Sequence, residues 1–267
     1  MEQHDSKYSG EFSGQQDHSR RSFISKATAG LILSMSAGSA PFPEKAPRNI
    51  KAIAFDAFAI FDPGPVFALT EKMFPGRGKE IAETWRLRQF EYSWLRQTAG
   101  QYKDFLEITT DALLFATRKA QVTLPAADKN ILVNAYLSLE IWPDVLPTLE
   151  YLRKKGIRLG FLSNMTGAML DSNIRHNGLH GYFEAVLSTD QLKTYKPSPQ
   201  SYQMGVDAFR LKKAEILFVA FAGWDAAGSG WFGYPTYWSN RLDAPMEELG
   251  ASIKMTGKSL DEIKNLV

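Results

Sequence analysis

The chain has 267 residues, 44% of them apolar and 22% charged, an ordinary globular mixture with enough material for a sizeable core. Thirty-one basic residues against 29 acidic ones leave a net charge of +2, and no helical face gathers lysine and arginine, so nucleic acid is not an expected partner. There is no cysteine, which excludes disulfides, thiolate metal ligands and a cysteine nucleophile, and the four histidines (His4, His18, His176, His180) lack the spacing of a zinc motif.

Residues 1–18 are polar and without apolar periodicity, the composition of a disordered leader. Arg20-Arg21 then precedes a small, apolar run from Ala27 to Ala40, a pattern that resembles a twin-arginine export signal, with cleavage expected after Ala40. The run is about fourteen residues long, short of the roughly 20 needed to span a bilayer. No stable membrane span is expected, and export to the periplasm is; a cytoplasmic protein with a disordered leader is the alternative. Residues 41–50, with three prolines, read as a linker.

Ile50 to Phe55 is an apolar strand that hands over a single carboxylate, Asp56, at its carboxyl end, where open α/β sheets hold their ligands. Beyond Asp62, Pro63-Gly64-Pro65 is expected to form a loop leading away from the sheet. Helical periodicity follows from about 64 to 140: Leu87, Phe90 and Trp94 share a face, as do Phe105, Ile108, Ala112 and Phe115, and then Ile131, Ala135 and Tyr136. A helical insertion is expected there, with the aromatic stripes as packing between helices.

Alternation of strand and helix then resumes. A helix from Asp144 to Lys155 is ended by Gly156, and strands are expected at Ile157–Leu162, Glu184–Ser188, Ile216–Phe221 and Thr236–Ser239, with a last helix near Leu260. Ser198-Pro199 has the form of an N-cap and first turn. The fold class is therefore α/β, a doubly wound, Rossmann-like parallel sheet formed by residues 41–63 and 141–267, with a helical cap domain inserted at 64–140. In such a sheet the polar groups at four strand ends converge on one edge: Asp56, Ser163 with Asn164, Lys196, and Asp225. Each alone has a plain reading as a turn former, a solvated cation or a helix cap, and only their recurrence argues for a site.

Phe55-Asp56, Ser163-Asn164, Tyr195-Lys196-Pro197 with Tyr202, and Trp224-Asp225-Ala226 resemble the four signatures of the haloacid dehalogenase superfamily. Phe74-Pro75-Gly76-Arg77-Gly78, Trp85-Arg86, Glu91-Tyr92 and Trp94-Leu95-Arg96 resemble the cap of its type II (S)-2-haloacid dehalogenase branch. The resemblance implies hydrolysis of short (S)-2-haloalkanoic acids to (R)-2-hydroxy acids, with Asp56 attacking C2 to form an ester. It implies that Arg86 and Asn164 receive the halide, Ser163 binds the substrate carboxylate, Lys196 holds the nucleophile with Tyr202 nearby, and Asp225 directs the hydrolytic water. Trp224 and Phe58 are then part of the apolar pocket. The superfamily's phosphatases carry a second aspartate two residues after the nucleophile to hold magnesium. Phe58 stands there, so neither a metal nor another cofactor is expected. A homodimer is compatible with the resemblance.

Two departures from that pattern stand out. The first loop, Ala57 to Asp62, is one residue shorter than the family's and lacks its threonine, and Ala220-Phe221-Ala222-Gly223 replaces serines and an asparagine before Trp224. A homologue that binds carboxylic acids without efficient turnover is the alternative these departures motivate.

Overall fold

The computed structural model describes residues 49–267. The export signal, its cleavage point and most of the proline-rich linker lie outside the described residues. The framework is a six-stranded, wholly parallel sheet of β1 (Ala52–Phe55), β2 (Arg158–Ser163), β3 (Ala185–Ser188), β4 (Ile216–Ala220), β5 (Thr236–Ser239) and β6 (Met255–Gly257), in the order β3-β2-β1-β4-β5-β6. β1 lies between β2 and β4, and its side chains alternate between two cores. Ile53 and Phe55 pack into one and Ala52 and Ala54 into the other, as Leu217 and Val219 oppose Ile216 and Phe218 in β4. Central parallel strands are covered on both faces, which is why they read as unbroken apolar runs. The short β6 pairs with β5 at the sheet edge; it carries Thr256 and Gly257 and has no apolar run to announce it.

β1 runs directly into a single helical turn, α1 (Ala57–Ile60), whose N-cap is Asp56: its carboxylate accepts from the Phe58 N–H at 3.1 Å. Pro63-Gly64-Pro65 does not form the expected loop. Helix α2 (Gly64–Met73) starts there, because a proline in the first turn gives up only an N–H that a helix leaves free, and Asp62 accepts the Gly64 N–H at 2.7 Å. With α3 (Gly78–Thr98), α4 (Phe105–Lys119) and α5 (Ala126–Asn134), it makes the stretch between β1 and β2 helical up to a 3₁₀ turn at Ala135–Leu137.

The face expected of α3 is partly wrong. Leu87 is 57% exposed, and Ile131 is likewise on the surface. The buried side of α3 runs instead through Ile81, Trp85 and the polar Gln89 and Ser93; Trp85 Nε1 donates to the Thr109 carbonyl and Gln89 Nε2 to Thr109 Oγ1. Polar residues satisfied inside the interface hid that stripe from a search for apolar periodicity. Phe90 lines the site described below, and Trp94 packs against Trp224 beside it.

The return to the sheet runs through α6 (Val145–Lys154), closed by Gly156 at φ +75°, a left-handed position that suits glycine. Then follow α7 (Gly167–His176), α8 (Pro199–Phe209) after Ser198, and α9 (Gly223–Phe232). The C-terminal helix is a 3₁₀ turn, Leu260–Asn265, whose Leu260 and Ile263 are buried. Among the described residues no helix is long and apolar enough to cross a membrane.

Candidate active site

The four strand ends meet as the parallel sheet requires. Asp56 follows β1, Ser163 closes β2, Asp225 lies in the first turn of α9 after β4, and Lys196 stands on the segment between β3 and α8. Lys196 is only 1% exposed, and its Nζ donates to Asp56 Oδ1 at 2.8 Å and to Asp225 Oδ2 at 2.6 Å. Tyr202 of α8 donates to the other Asp225 oxygen at 2.7 Å. Two carboxylates far apart in sequence are thus joined by one buried ammonium. Such a group is retained inside a protein only if its partners offset the loss of water.

The protonation states follow from that arrangement. Burial pushes Lys196 down, but Asp225 and Asp56 outweigh it and hold its pKa above the usual lysine value. Burial, aided by the Asp56 charge and opposed by Lys196, pushes Asp225 up to about 6. Tyr202 is raised well above its ordinary value, first by burial and then by Asp225, so it remains a donor at neutral pH.

The backbone of Lys196 is held as firmly as its side chain. Its N–H donates to Asn164 Oδ1 at 2.9 Å, and its carbonyl accepts from Trp94 Nε1 at 3.1 Å. Thr189 Oγ1 also donates to Asn164 Oδ1, at 3.2 Å. With its oxygen occupied, Asn164 leaves Nδ2 buried, and that nitrogen finds no acceptor among the described residues. Arg86 of α3 reaches the same place. Its guanidinium lies 5.4–5.6 Å from the ring centres of Phe58, Phe90 and Phe221, and Nη1 is buried without an acceptor among the described residues. Burial lowers the Arg86 pKa, while Tyr136 and Asp56 work in the opposite direction; a guanidinium starts so high that it stays charged.

These groups line one small cavity. Asp56, Ser163, Asn164 and Asp225 supply its polar wall, and Phe58, Arg86, Phe90, Phe105, Phe221 and Trp224 much of the rest. Trp224 is set edge-on against Phe90 and Trp94, with ring centres 5.2 and 5.3 Å away. The free space is about 10 Å³, the room of one water, so a larger ligand enters only as the aromatic walls move apart. A wider cavity of about 530 Å³ opens between α2 and α3, and Arg86 lines both.

Of the residues named from sequence, Asp56, Phe58, Arg86, Ser163, Asn164, Trp224 and Asp225 line the cavity. Lys196 and Tyr202 do not. Lys196 bridges the two carboxylates, and Tyr202, expected among the ligand-binding residues, is fully buried behind Asp225 with its hydroxyl spent on that carboxylate. Ser163 Oγ accepts from the Met165 N–H at 3.1 Å, which leaves its own proton to donate. Phe90, Phe105 and Phe221 were missed. Phe90 and Phe105 read as helix packing, and Phe221 stands where the resemblance called for polar groups.

A model of haloacid dehalogenase-like hydrolases matches residues 49–228. The chain belongs to the haloacid dehalogenase-like hydrolase family. Within it, the chain is 39% identical over 202 residues to an (S)-2-haloacid dehalogenase of Pseudomonas sp. (strain YL), an overlap covering 75% of this chain and 87% of that one. It is 36% identical over 221 residues to haloacetate dehalogenase H-2 of Moraxella sp. (strain B), covering 82% and 99% of the two chains. The fold superposes on L-2-haloacid dehalogenase of Xanthobacter autotrophicus with chloropropionic acid covalently bound, at a TM-score of 0.75, 30% identity and coverage of 81% and 98%.

Proposed function

We propose that this haloacid dehalogenase-like hydrolase cleaves the carbon–halogen bond of short-chain (S)-2-haloalkanoic acids and releases (R)-2-hydroxy acids. The observation that carries the reading is a pair of buried donors with no acceptor among the described residues, Arg86 Nη1 and Asn164 Nδ2, on two residues that line the same small cavity as a carboxylate oriented by a buried lysine. A buried donor without an acceptor is costly, and an anion formed in the cavity would satisfy both.

In the first half of the reaction an Asp56 oxygen attacks C2 from the side opposite the halogen. The C–O bond forms as the carbon–halogen bond breaks, and the halide departs with the bonding pair toward Arg86 and Asn164. Lys196 and the Phe58 N–H keep the nucleophile aimed. Ser163 donates to the substrate carboxylate, and the rings of Phe58 and Trp224 enclose the reacting carbon. In the second half Asp225 accepts a proton from water as its oxygen adds to Cγ of Asp56. The tetrahedral adduct collapses with cleavage of the Cγ–O bond to the substrate, the water's second proton passes to the departing alkoxide, and the hydroxy acid leaves with the C2 configuration inverted in the first half and Asp56 a free carboxylate again. Tyr202 and Lys196 hold Asp225 for that task.

Binding without turnover is the less favoured reading, because Asp225, Lys196 and Tyr202 form a complete hydrogen-bonded set despite the apolar residues before Trp224. The test is halide release from racemic 2-chloropropionate. The expected result is consumption of the (S)-enantiomer alone, lost on Asp56→Asn; absence of both halide and an Asp56 adduct by mass spectrometry would refute it. Export by the twin-arginine route belongs to the same proposal, supported by Arg20-Arg21 and the small residues that follow. N-terminal sequencing of protein from a periplasmic fraction checks it. Assembly as a homodimer is checked by light scattering.

A further inference from the structure

Asp56 is carried by the single turn α1, and so short a helix has too few internal bonds to hold itself. All four of its carbonyls are nevertheless used. Ala57 accepts from the Phe61 N–H at 2.8 Å, Phe58 from Trp142 Nε1 at 3.1 Å, Ala59 from Arg241 Nη2 at 3.1 Å, and Ile60 from the Trp142 N–H at 3.1 Å. Three of the four partners come from two residues distant in sequence. One of these, Arg241, lies just after β5 and beyond the residues 49–228 that the family model matches.

Arg241 is built into place. Its side chain is 5% exposed, its guanidinium makes two parallel bonds of 2.9 Å to Asp144, and it lies over the Trp142 ring at 4.7 Å. Asp144 also accepts the Leu260 N–H and the Trp142 ring stacks on Phe221, so the unit joins the C-terminal segment, α6 and the cavity wall. The cation sits at the carboxyl end of the turn, where positive charge is favoured, while the Asp56 carboxylate caps the amino end. Phe58, whose ring touches Arg86, is on the same turn.

We propose that Arg241, seated by Asp144 and Trp142, is a positioning residue that fixes the α1 turn and thereby the aim of Asp56 and Phe58. It touches no substrate; it acts through the Ala59 carbonyl. One guanidinium serves a carboxylate with two bonds and a carbonyl with a third, and a lysine would keep the charge and a donor for the carbonyl while losing the paired bonds. The catalytic part of the inference rests on the dehalogenase reading above.

The experiment compares the wild type with Arg241→Met and Arg241→Lys in two measurements. Hydrogen–deuterium exchange tests the brace without reference to any reaction: exchange in the peptide covering 57–62 should rise in Arg241→Met, with residues 158–163 of β2 unchanged. Rapid-quench mass spectrometry of the first turnover with 2-chloropropionate gives the rate constant of ester formation per folded site. It should fall about 100-fold in Arg241→Met, recover at least tenfold in Arg241→Lys, and leave KM within about threefold. Unaltered exchange at 57–62 overturns the brace. Wild-type first-turnover rate constants with only a smaller burst amplitude overturn the positioning role, since that is what a merely structural residue would produce. If the wild type releases no halide, the dehalogenase reading fails and the exchange measurement alone decides whether Arg241 holds the turn.

Discussion

Replacing Asp225 by asparagine separates the two halves of the reaction. Asparagine keeps an oxygen for Lys196 and can donate to Tyr202, so Asp56 stays paired and ester formation should proceed within about tenfold of wild type. The base is lost, and general-base catalysis is worth roughly 10²–10⁴-fold, so hydrolysis should slow by that factor and the ester should accumulate. In the wild type the base has a pKa of about 6. The ester removes the Asp56 charge that helps raise Asp225, so turnover should fall about tenfold for each pH unit below a point lower than 6 and be level at pH 7, while the first turnover of Asp225→Asn lacks that limb.

Stability carries a second signature of the same burial. The folded pKa of Asp225 lies above its ordinary 3.8, so its favourable contribution is present below 3.8 and is lost as the pH rises through about 6. At pH 7 the buried charge therefore works against the fold, a cost the neutral amide avoids. Asp225→Asn should accordingly melt no lower than wild type at pH 7, and that advantage should vanish near pH 4. Mass spectrometry after mixing with 2-chloropropionate, a pH series and thermal melts make the test. Turnover at the wild-type rate with no trapped ester would refute the assignment of the base, and a marked loss of Tm at pH 7 would refute the burial argument.

Arg86→Lys keeps the charge but loses the planar donor fork among the three rings, and kcat for 2-chloropropionate should drop at least 100-fold, read by halide release. Trp224→Ala removes a ring from a cavity now only about 10 Å³ in free volume; 2-chlorobutyrate should gain on 2-chloropropionate in kcat/KM, at a cost of about 3 kcal/mol in stability measured by denaturant. Gly228→Ala brings a methyl group within 2.5 Å of the Tyr202 hydroxyl and 2.6 Å of Pro197. Displacing the donor that holds Asp225 should slow ester hydrolysis more than ester formation and cost about 1–3 kcal/mol, seen in the ratio of burst to steady-state rates and in Tm.

Much of the site could be read without coordinates because a parallel sheet converts chain order into geometry. Apolar runs buried on both faces mark β1, β2 and β4, and whatever polar residue ends each of them must reach the same edge. Asp56, Ser163, Asn164 and Asp225 were therefore placed together by strand periodicity alone, and the family motifs supplied expectations for their roles. The helical character of 64–140 was legible in the same way, although its buried stripe was not. Gln89 and Ser93 are polar residues paid for by hydrogen bonds that no periodicity reveals. The proline pair at 63 and 65 was misread because proline both ends and begins helices, and only the Asp62 contact to Gly64 decides between them.

What the sequence by itself determined about this protein is which groups reach the sheet edge. What only the tertiary structure decided is which face the cavity, which stand behind it, and what holds them. Tyr202 belongs to Asp225 because α8 and α9 pack together, Phe221 stands among the rings around Arg86, and Arg241 reaches Ala59 across 182 residues of chain. Local propensity and periodicity are short-ranged, whereas a buried donor must find its acceptor wherever the fold delivers one.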